Sequence, residues 1–176
     1  DVLIERDEID EKQFEKNLEN CEILDLDYFT APDEFAEIAA SRLSRRLKMD
    51  EEELYEQLLA REKDSNIMVH PGFAVVSFHI KKRGKFEIMP VRTKKGAMFS
   101  KDLPMVRTAF IVVSSNDRES VYLHSLMWLI QMAENIDLEG RWAEAGDTEE
   151  LRELMREAWE KRKPRSEERR VGKECV

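Results

Sequence analysis

The densest run of strand-forming residues, between positions 66 and 92, most constrains how this chain folds. It reads NIMVHPGFAVVSFHIKKRGKFEIMPVR. Its Val- and Phe-rich first part predicts a strand over Phe73–Ile80, and the alternating residues after the basic turn predict a second strand. Pro90, late in that second strand, indicates an edge position. Two of the three histidines, His70 and His79, fall in this run, so the sheet and the candidate chemistry coincide.

Capped apolar segments flank this run and predict helices. Residues suited to helix starts precede segments with helical spacing; they are Thr30 with Pro32, Asp50, Asn116 with Glu119, and Asp147. The apolar run 105–114 predicts a central strand covered on both faces. Pro164 is expected to end the last helix. Two helices, a cluster of strands and further helices predict an α/β fold, a single domain with a mixed sheet flanked by helices on both faces.

The charge distribution predicts three parts of the chain. Residues 28–160 form the expected domain, and the acidic residues 1–27 are expected to be a linker or N-terminal extension from something upstream. Residues 161–176 carry seven Lys or Arg and three Glu, which predicts a basic, disordered tail. A cloning or assembly scar is one explanation of this tail, so no function is built on it. The chain starts without Met and is interpreted as a fragment or excised domain.

Composition excludes several classes of function. The net charge of −9 argues against a nucleic-acid partner. No apolar run approaches the roughly 18–20 residues of a membrane helix. Cys21 and Cys175 lie far apart with no Cys/His cluster, so neither a structural nor a catalytic metal is expected. A Gly-rich phosphate loop is missing too, and we expect no cofactor and a reducing, cytoplasmic setting.

The histidines are the reactive candidates that the residues alone provide. His70 precedes Pro71-Gly72 at a strand break and is expected at a loop rim. Ser77 and His79 are two apart on a strand and point to one face. His124 lies on a helix that is apolar almost all round. Each is more often an ordinary surface or core histidine, and both interpretations remain open.

Several strings resemble the EIIA type 2 domain of the bacterial phosphotransferase system, the fructose/mannitol and nitrogen-regulatory class. The resemblance covers about residues 28–159 and implies that fold. The strings that carry it are Asp50-Glu51-Glu52-Glu53-Leu54, Leu58-Leu59-Ala60-Arg61-Glu62-Lys63, Ala74-Val75-Val76-Ser77, Tyr122-Leu123-His124-Ser125-Leu126 and the capped helix start at Asp147.

The resemblance also assigns positions to the family's phosphoryl relay. The nucleophilic histidine of the family falls at Ser77, and its supporting histidine falls at Tyr122. The arginine that steadies the phosphate is retained as Arg61. A serine hydroxyl, with its far higher pKa, cannot replace imidazole as a relay at neutral pH. The resemblance therefore implies the fold without the activity, and we expect the chain not to be a working enzyme.

One branch of the family is more similar still. Pro71-Gly72-Phe73-Ala74, Lys85-Phe86-Glu87 and Val91-Arg92 resemble EIIA-like domains appended to bacterial chloride channels, cation/proton antiporters or amino-acid permeases. This implies a regulatory domain whose partner is a membrane transporter domain of the same polypeptide. It also implies a cytoplasmic position at the inner face of the cell membrane.

Two rival hypotheses remain. In the first, the chain is an active phosphocarrier that uses His79 or His70 as acceptor and takes its phosphoryl group from the phosphocarrier protein. His79 lies roughly 7 Å beyond Ser77 by strand rise, which misaligns it with Arg61. In the second, the cleft that corresponds to the family's active site binds a small anion or nucleotide near Arg61, His70 and Arg92.

Overall fold

The computed structural model contains five α-helices, two short 3-10 or π-helical segments and five strands in the part of the chain that it describes. The backbone is described for residues 2–28, 30–63, 68–70, 73–97 and 105–174, and the side chains for these residues except 2–4, 61–63, 68–70 and 163–174. The helices are α1 (Val2–Asn20), α2 (Pro32–Leu47), α3 (Glu51–Lys63), α4 (Glu119–Asn135) and α5 (Thr148–Glu174). The strands are β1 (Leu24–Leu26), β2 (Met68–His70), β3 (Phe73–Ile80), β4 (Phe86–Ala97) and β5 (Val106–Ser115).

The strands form one mixed sheet in the order β1-β4-β5-β3-β2. The β3–β5 and β1–β4 pairs are parallel, whereas β4–β5 and β2–β3 are antiparallel. The central strand β5 is covered on both faces, which explains why its sequence is apolar almost throughout. The predicted α/β fold, with a mixed sheet between helices, is confirmed.

Each face of the sheet has its own hydrophobic core. Alternate residues of β3 divide between the two: Val75 packs with α1, α4 and α5, while Val76 and Phe78 pack with α2 and α3. Because strand side chains alternate, Ser77 and His79 lie on the same face as Val75. Both therefore point toward α4.

Pro90 was expected to lie on an edge strand, but its strand, β4, is an interior strand of the sheet. This strand lies between β1 and β5, and it extends to Ala97. The ladder with β1 starts only at Val91, so among the described residues Pro90 has a strand partner on the β5 side alone, where it lies opposite Phe110.

The N-terminal boundary expected at residue 28 is also wrong. Phe14 of α1 is fully buried, with its ring centroid 5.1 Å from that of Trp128 and 4.8 Å from that of Trp159. Strand β1 pairs with β4 in the sheet. Several acidic residues of α1, such as Glu5 and Glu8, are exposed, whereas its apolar face is buried, so residues expected to form a linker contribute to the core.

Helix α5 continues past Pro164, where the sequence predicted that it would end. Its backbone is helical to Glu174. In the described parts of the chain, no helix is both long and apolar enough to cross a membrane.

Candidate functional site

The candidate site lies at the carboxyl ends of the parallel strands β3 and β5. In this pair His79 is opposite Ser114, and β5 leads through a short 3-10 turn, Asn116–Arg118, into α4. The first turn of α4 therefore stands beside the end of β3. Crevices at this end of α/β sheets commonly hold binding sites.

Ser77 and Tyr122 meet at this end of the sheet. The Tyr122 hydroxyl donates a hydrogen bond to Ser77 Oγ at 2.9 Å, and both residues are buried. The inward face of β3 presents Ser77, and the first turn of α4 presents Tyr122. The structure thus brings together the two positions that the resemblance assigned to the histidines of a phosphoryl relay.

His79 forms the outer part of the same cluster. Its Nε2 atom lies 2.6 Å from Oε2 of Glu119, and its ring centroid lies 4.3 Å from that of Tyr122. The side chains of His79 and Glu119 are 29% and 51% exposed. Ser77, His79, Glu119 and Tyr122 are named the site cluster. Its inner half is a buried hydroxyl pair, and its outer half is a solvent-accessible imidazole oriented by a carboxylate.

Glu119 is the site residue that sequence reasoning missed. Its spacing from Asn116 suggested a helix cap, but the start of α4 has no side-chain capping hydrogen bond. The Glu119 carboxylate contacts His79 instead. The available signal was an acidic residue in the first turn of the helix that follows β5, but the sequence did not identify its partner.

Two predicted site residues lie partly outside the described structure. Arg61 is in α3 and His70 is in β2, but their side chains are outside the described residues. Two roles therefore stay predictions: that Arg61 steadies an anion, and that His70 accepts a phosphoryl group.

Arg92 does not belong to the site. It is 1% exposed and lies opposite Thr108 near the start of β5, whereas Ser77 lies opposite Val112. Its Nε and Nη2 atoms donate to the Asp25 carboxylate at 2.9 and 2.6 Å. Its Nη1 atom donates to the carbonyl oxygens of Trp142 and Ala145 at 2.9 and 2.5 Å. Because Arg92 is buried and donates four of its five N–H groups to partners inside the fold, it is a structural residue, and the expectation that it binds an anion is wrong.

His124 lies on another side of α4. Its Nδ1 atom is 2.8 Å from Oδ2 of Asp10, and its ring stacks on Trp128 with centroids 5.1 Å apart. It therefore serves the junction between α1 and α4 rather than the site cluster. Among the described residues, no group of three or more His, Cys, Asp or Glu side chains is arranged to hold a metal ion.

Comparisons with known proteins agree with this geometry at the level of family and fold. The family model described as "Phosphoenolpyruvate-dependent sugar phosphotransferase system, EIIA 2" matches residues 15–158. The crystal structure of nitrogen regulatory protein IIA-Ntr from Neisseria meningitidis is similar, with a TM-score of 0.65 and 19% sequence identity. That similarity covers 76% of this chain and 91% of the other, and at this identity it concerns the fold alone. A comparison with curated proteins found no match.

Proposed function

Because the chain belongs to the EIIA type 2 family of the phosphoenolpyruvate-dependent sugar phosphotransferase system, we propose that it is a regulatory EIIA-like domain without phosphotransfer. We further propose that it serves a membrane transporter in the same polypeptide, on the cytoplasmic face of the membrane. The family and the fold are the starting point, and the residues of the site cluster support the loss of activity.

The hydrogen bond between Tyr122 and Ser77 carries this proposal. A phosphoryl relay needs a nucleophile that is available near neutral pH and that releases the group again. At position 77 the nucleophile is a buried serine hydroxyl, and its described hydrogen bond comes from another hydroxyl rather than from a base. A serine without an adjacent base is a weak nucleophile. The two positions thus retain a hydrogen-bonded pair without the chemistry of the histidines.

The attachment to a transporter is supported by the strings around Pro71, Phe86 and Arg92, which resemble transporter-appended EIIA-like domains. Sequencing the complete reading frame tests it directly. Membrane-spanning segments in the same frame are expected. A complete frame that encodes only this domain would remove the transporter from the proposal but leave the statement on phosphotransfer untouched.

Incubation with phosphoenolpyruvate, enzyme I and the phosphocarrier protein tests the loss of phosphotransfer. Intact-mass spectrometry is expected to find no acid-labile phosphoryl group on the wild-type chain. The matched variant is Ser77→His with Tyr122→His, which restores both histidines of the family to the same scaffold. A label on this variant alone would show that the donors reach the fold and that the two side chains decide the outcome.

An active phosphocarrier is the second candidate function, favoured by the geometry of His79. Its ring is partly exposed, and Glu119 holds one ring nitrogen, as a carboxylate orients a reactive imidazole. If the wild-type chain accepts label, His79→Ala and His70→Ala identify the acceptor. Loss of label in His79→Ala alone would replace the proposal with this candidate.

Binding of a small anion is the remaining hypothesis, and it now rests on Arg61 and His70. A thermal-shift screen with phosphate, nucleotides and sugar phosphates tests it, because a ligand that binds only the folded state raises the melting temperature. No shift with any of these compounds would remove the hypothesis.

A further inference from the structure

The first turns of α4 face two partners. Glu119 and Tyr122 face the site cluster, where they contact His79 and Ser77. Ser120 and His124 face α1 instead. Within residues 119–124, one side of α4 thus contacts the site cluster and another side contacts the N-terminal helix α1.

The contact with α1 converges on one carboxylate. Oδ2 of Asp10 accepts a hydrogen bond from Ser120 Oγ at 2.6 Å and lies 2.8 Å from His124 Nδ1. Asp10 is 8% exposed, and Asp7 adds a longer contact of 3.4 Å to His124 Nε2. A buried carboxylate depends on such donors, since an unpaired one costs far more than an exposed one. Asp10 therefore fixes the position of the start of α4 relative to α1.

Helix α1 is itself held firmly by α5. The ring of Phe14 lies against Trp128 and Trp159, and the indole Nε1–H of Trp159 donates to Glu15 Oε1 at 2.8 Å. These contacts lie on the helix face that points into the core. They join α1, α4 and α5 into one packed layer.

Arginines of α5 hold the C-terminal end of α1. Arg152 donates to the carbonyl oxygens of Leu18 and Cys21 at 2.9 and 2.8 Å. Arg156 forms a two-bond ion pair with the Glu19 carboxylate, and this hydrogen bonding lowers the pKa of Glu19. Since α1 is attached at its middle, through Asp10 and Phe14, and at its C-terminal end, this part of α1 behaves as a stiff element rather than a loose arm.

We propose that α1 is a coupling helix that controls the site. Through Asp10 it sets the position of the first turn of α4, and that turn sets the Tyr122–Ser77 and Glu119–His79 contacts. The inference rests on the proposed function only in taking the site cluster as the site. In the proposed transporter, a displacement of the segment preceding α1 reaches the site by this path, and a change at the site reaches α1 by the same path.

The NMR chemical shifts of the His79 imidazole provide the test. The full chain is labelled with ¹³C,¹⁵N-histidine, and the His79 signals are assigned with His79→Gln. Asp10→Asn removes the carboxylate, and Ser120→Ala removes one of its donors without changing any charge. Both variants are expected to shift the His79 ring signals, Asp10→Asn by more.

Glu19→Gln is the matched control. It loses the same charge from the same helix, but at the end that faces α5 rather than the start of α4. It is expected to leave the His79 signals in place, while tryptophan fluorescence confirms that α1 is still packed in all variants. Unchanged His79 signals in Ser120→Ala, or equal shifts in Asp10→Asn and Glu19→Gln, would overturn the coupling. If Asp10→Asn unfolds, Ser120→Ala decides alone. No phosphotransfer component is involved, so this result is independent of the proposed function.

Discussion

Two polar clusters lie toward opposite ends of the same sheet, and they are built differently. Around Arg92, four hydrogen bonds join a 1% exposed guanidinium to Asp25 and two carbonyl oxygens. In the site cluster, single contacts join Tyr122 to Ser77 and His79 to Glu119, and the outer pair reaches solvent. The first cluster is closed and the second is half open.

The difference shows how structural and functional polar groups can be told apart. In the sequence, both Arg92 and Ser77 were candidate site residues on consecutive predicted strands, in strings that resemble the same family. The packing separates them, because a guanidinium that is 1% exposed and donates four hydrogen bonds inside the fold is not accessible to a ligand. A half-exposed imidazole beside buried hydroxyls retains that capacity. Breaking each cluster should therefore have different effects.

Arg92→Met should have the largest effect. It leaves the Asp25 carboxylate and the carbonyl oxygens of Trp142 and Ala145 without their donor, and removing one partner of a buried ion pair costs about 3–5 kcal/mol. Urea denaturation followed by circular dichroism measures this loss. Arg92→Lys, which keeps the charge but not the planar fork, should fall in between. A loss below about 1 kcal/mol in Arg92→Met would show that the cluster is not closed.

Ser77→Ala and Tyr122→Phe should have intermediate effects. Each leaves one buried hydroxyl without its partner, which costs about 1–3 kcal/mol, whereas removing both hydroxyls together should cost less than the sum. A double-mutant cycle by urea denaturation measures the coupling. Tyr55→Phe, on the other face of the sheet, controls for loss of a phenol. Strictly additive losses would mean that the hydrogen bond contributes nothing.

His79→Gln should have the smallest effect on stability. Its ion pair with Glu119 is partly exposed, and solvent-accessible pairs contribute about 0–1 kcal/mol. The same denaturation curves measure it. A loss as large as that of Arg92→Met would mean that His79 is a structural residue, and the contrast between the two clusters would disappear.

Local features of the fold could be predicted from the sequence. The bounds of β3 follow from a continuous run of Val and Phe, and they are confirmed. Asp50 and Asp147 were predicted helix caps, and both accept a hydrogen bond from the backbone N–H three residues later, at 3.2 and 2.9 Å. These features depend on neighbours within a few positions, which a sequence pattern contains.

Features that depend on distant partners could not be predicted in this way. Arg92 finds Asp25 across 67 positions, and His79 finds Glu119 across 40. Phe14 was placed in a linker because its tryptophan partners lie more than a hundred residues away. The contact of Ser77 with Tyr122 was expected only through the family resemblance. Charge and spacing alone did not separate the closed cluster from the half-open one.

The stoichiometry of acid-labile phosphate on the wild-type chain tests the central claim most directly. After incubation with phosphoenolpyruvate, enzyme I and the phosphocarrier protein, intact-mass spectrometry counts the phosphoryl groups per chain. No label is expected, because the nucleophile position holds Ser77, hydrogen-bonded to Tyr122. One stoichiometric phosphohistidine would contradict the account and make the half-open cluster, through His79, a working site.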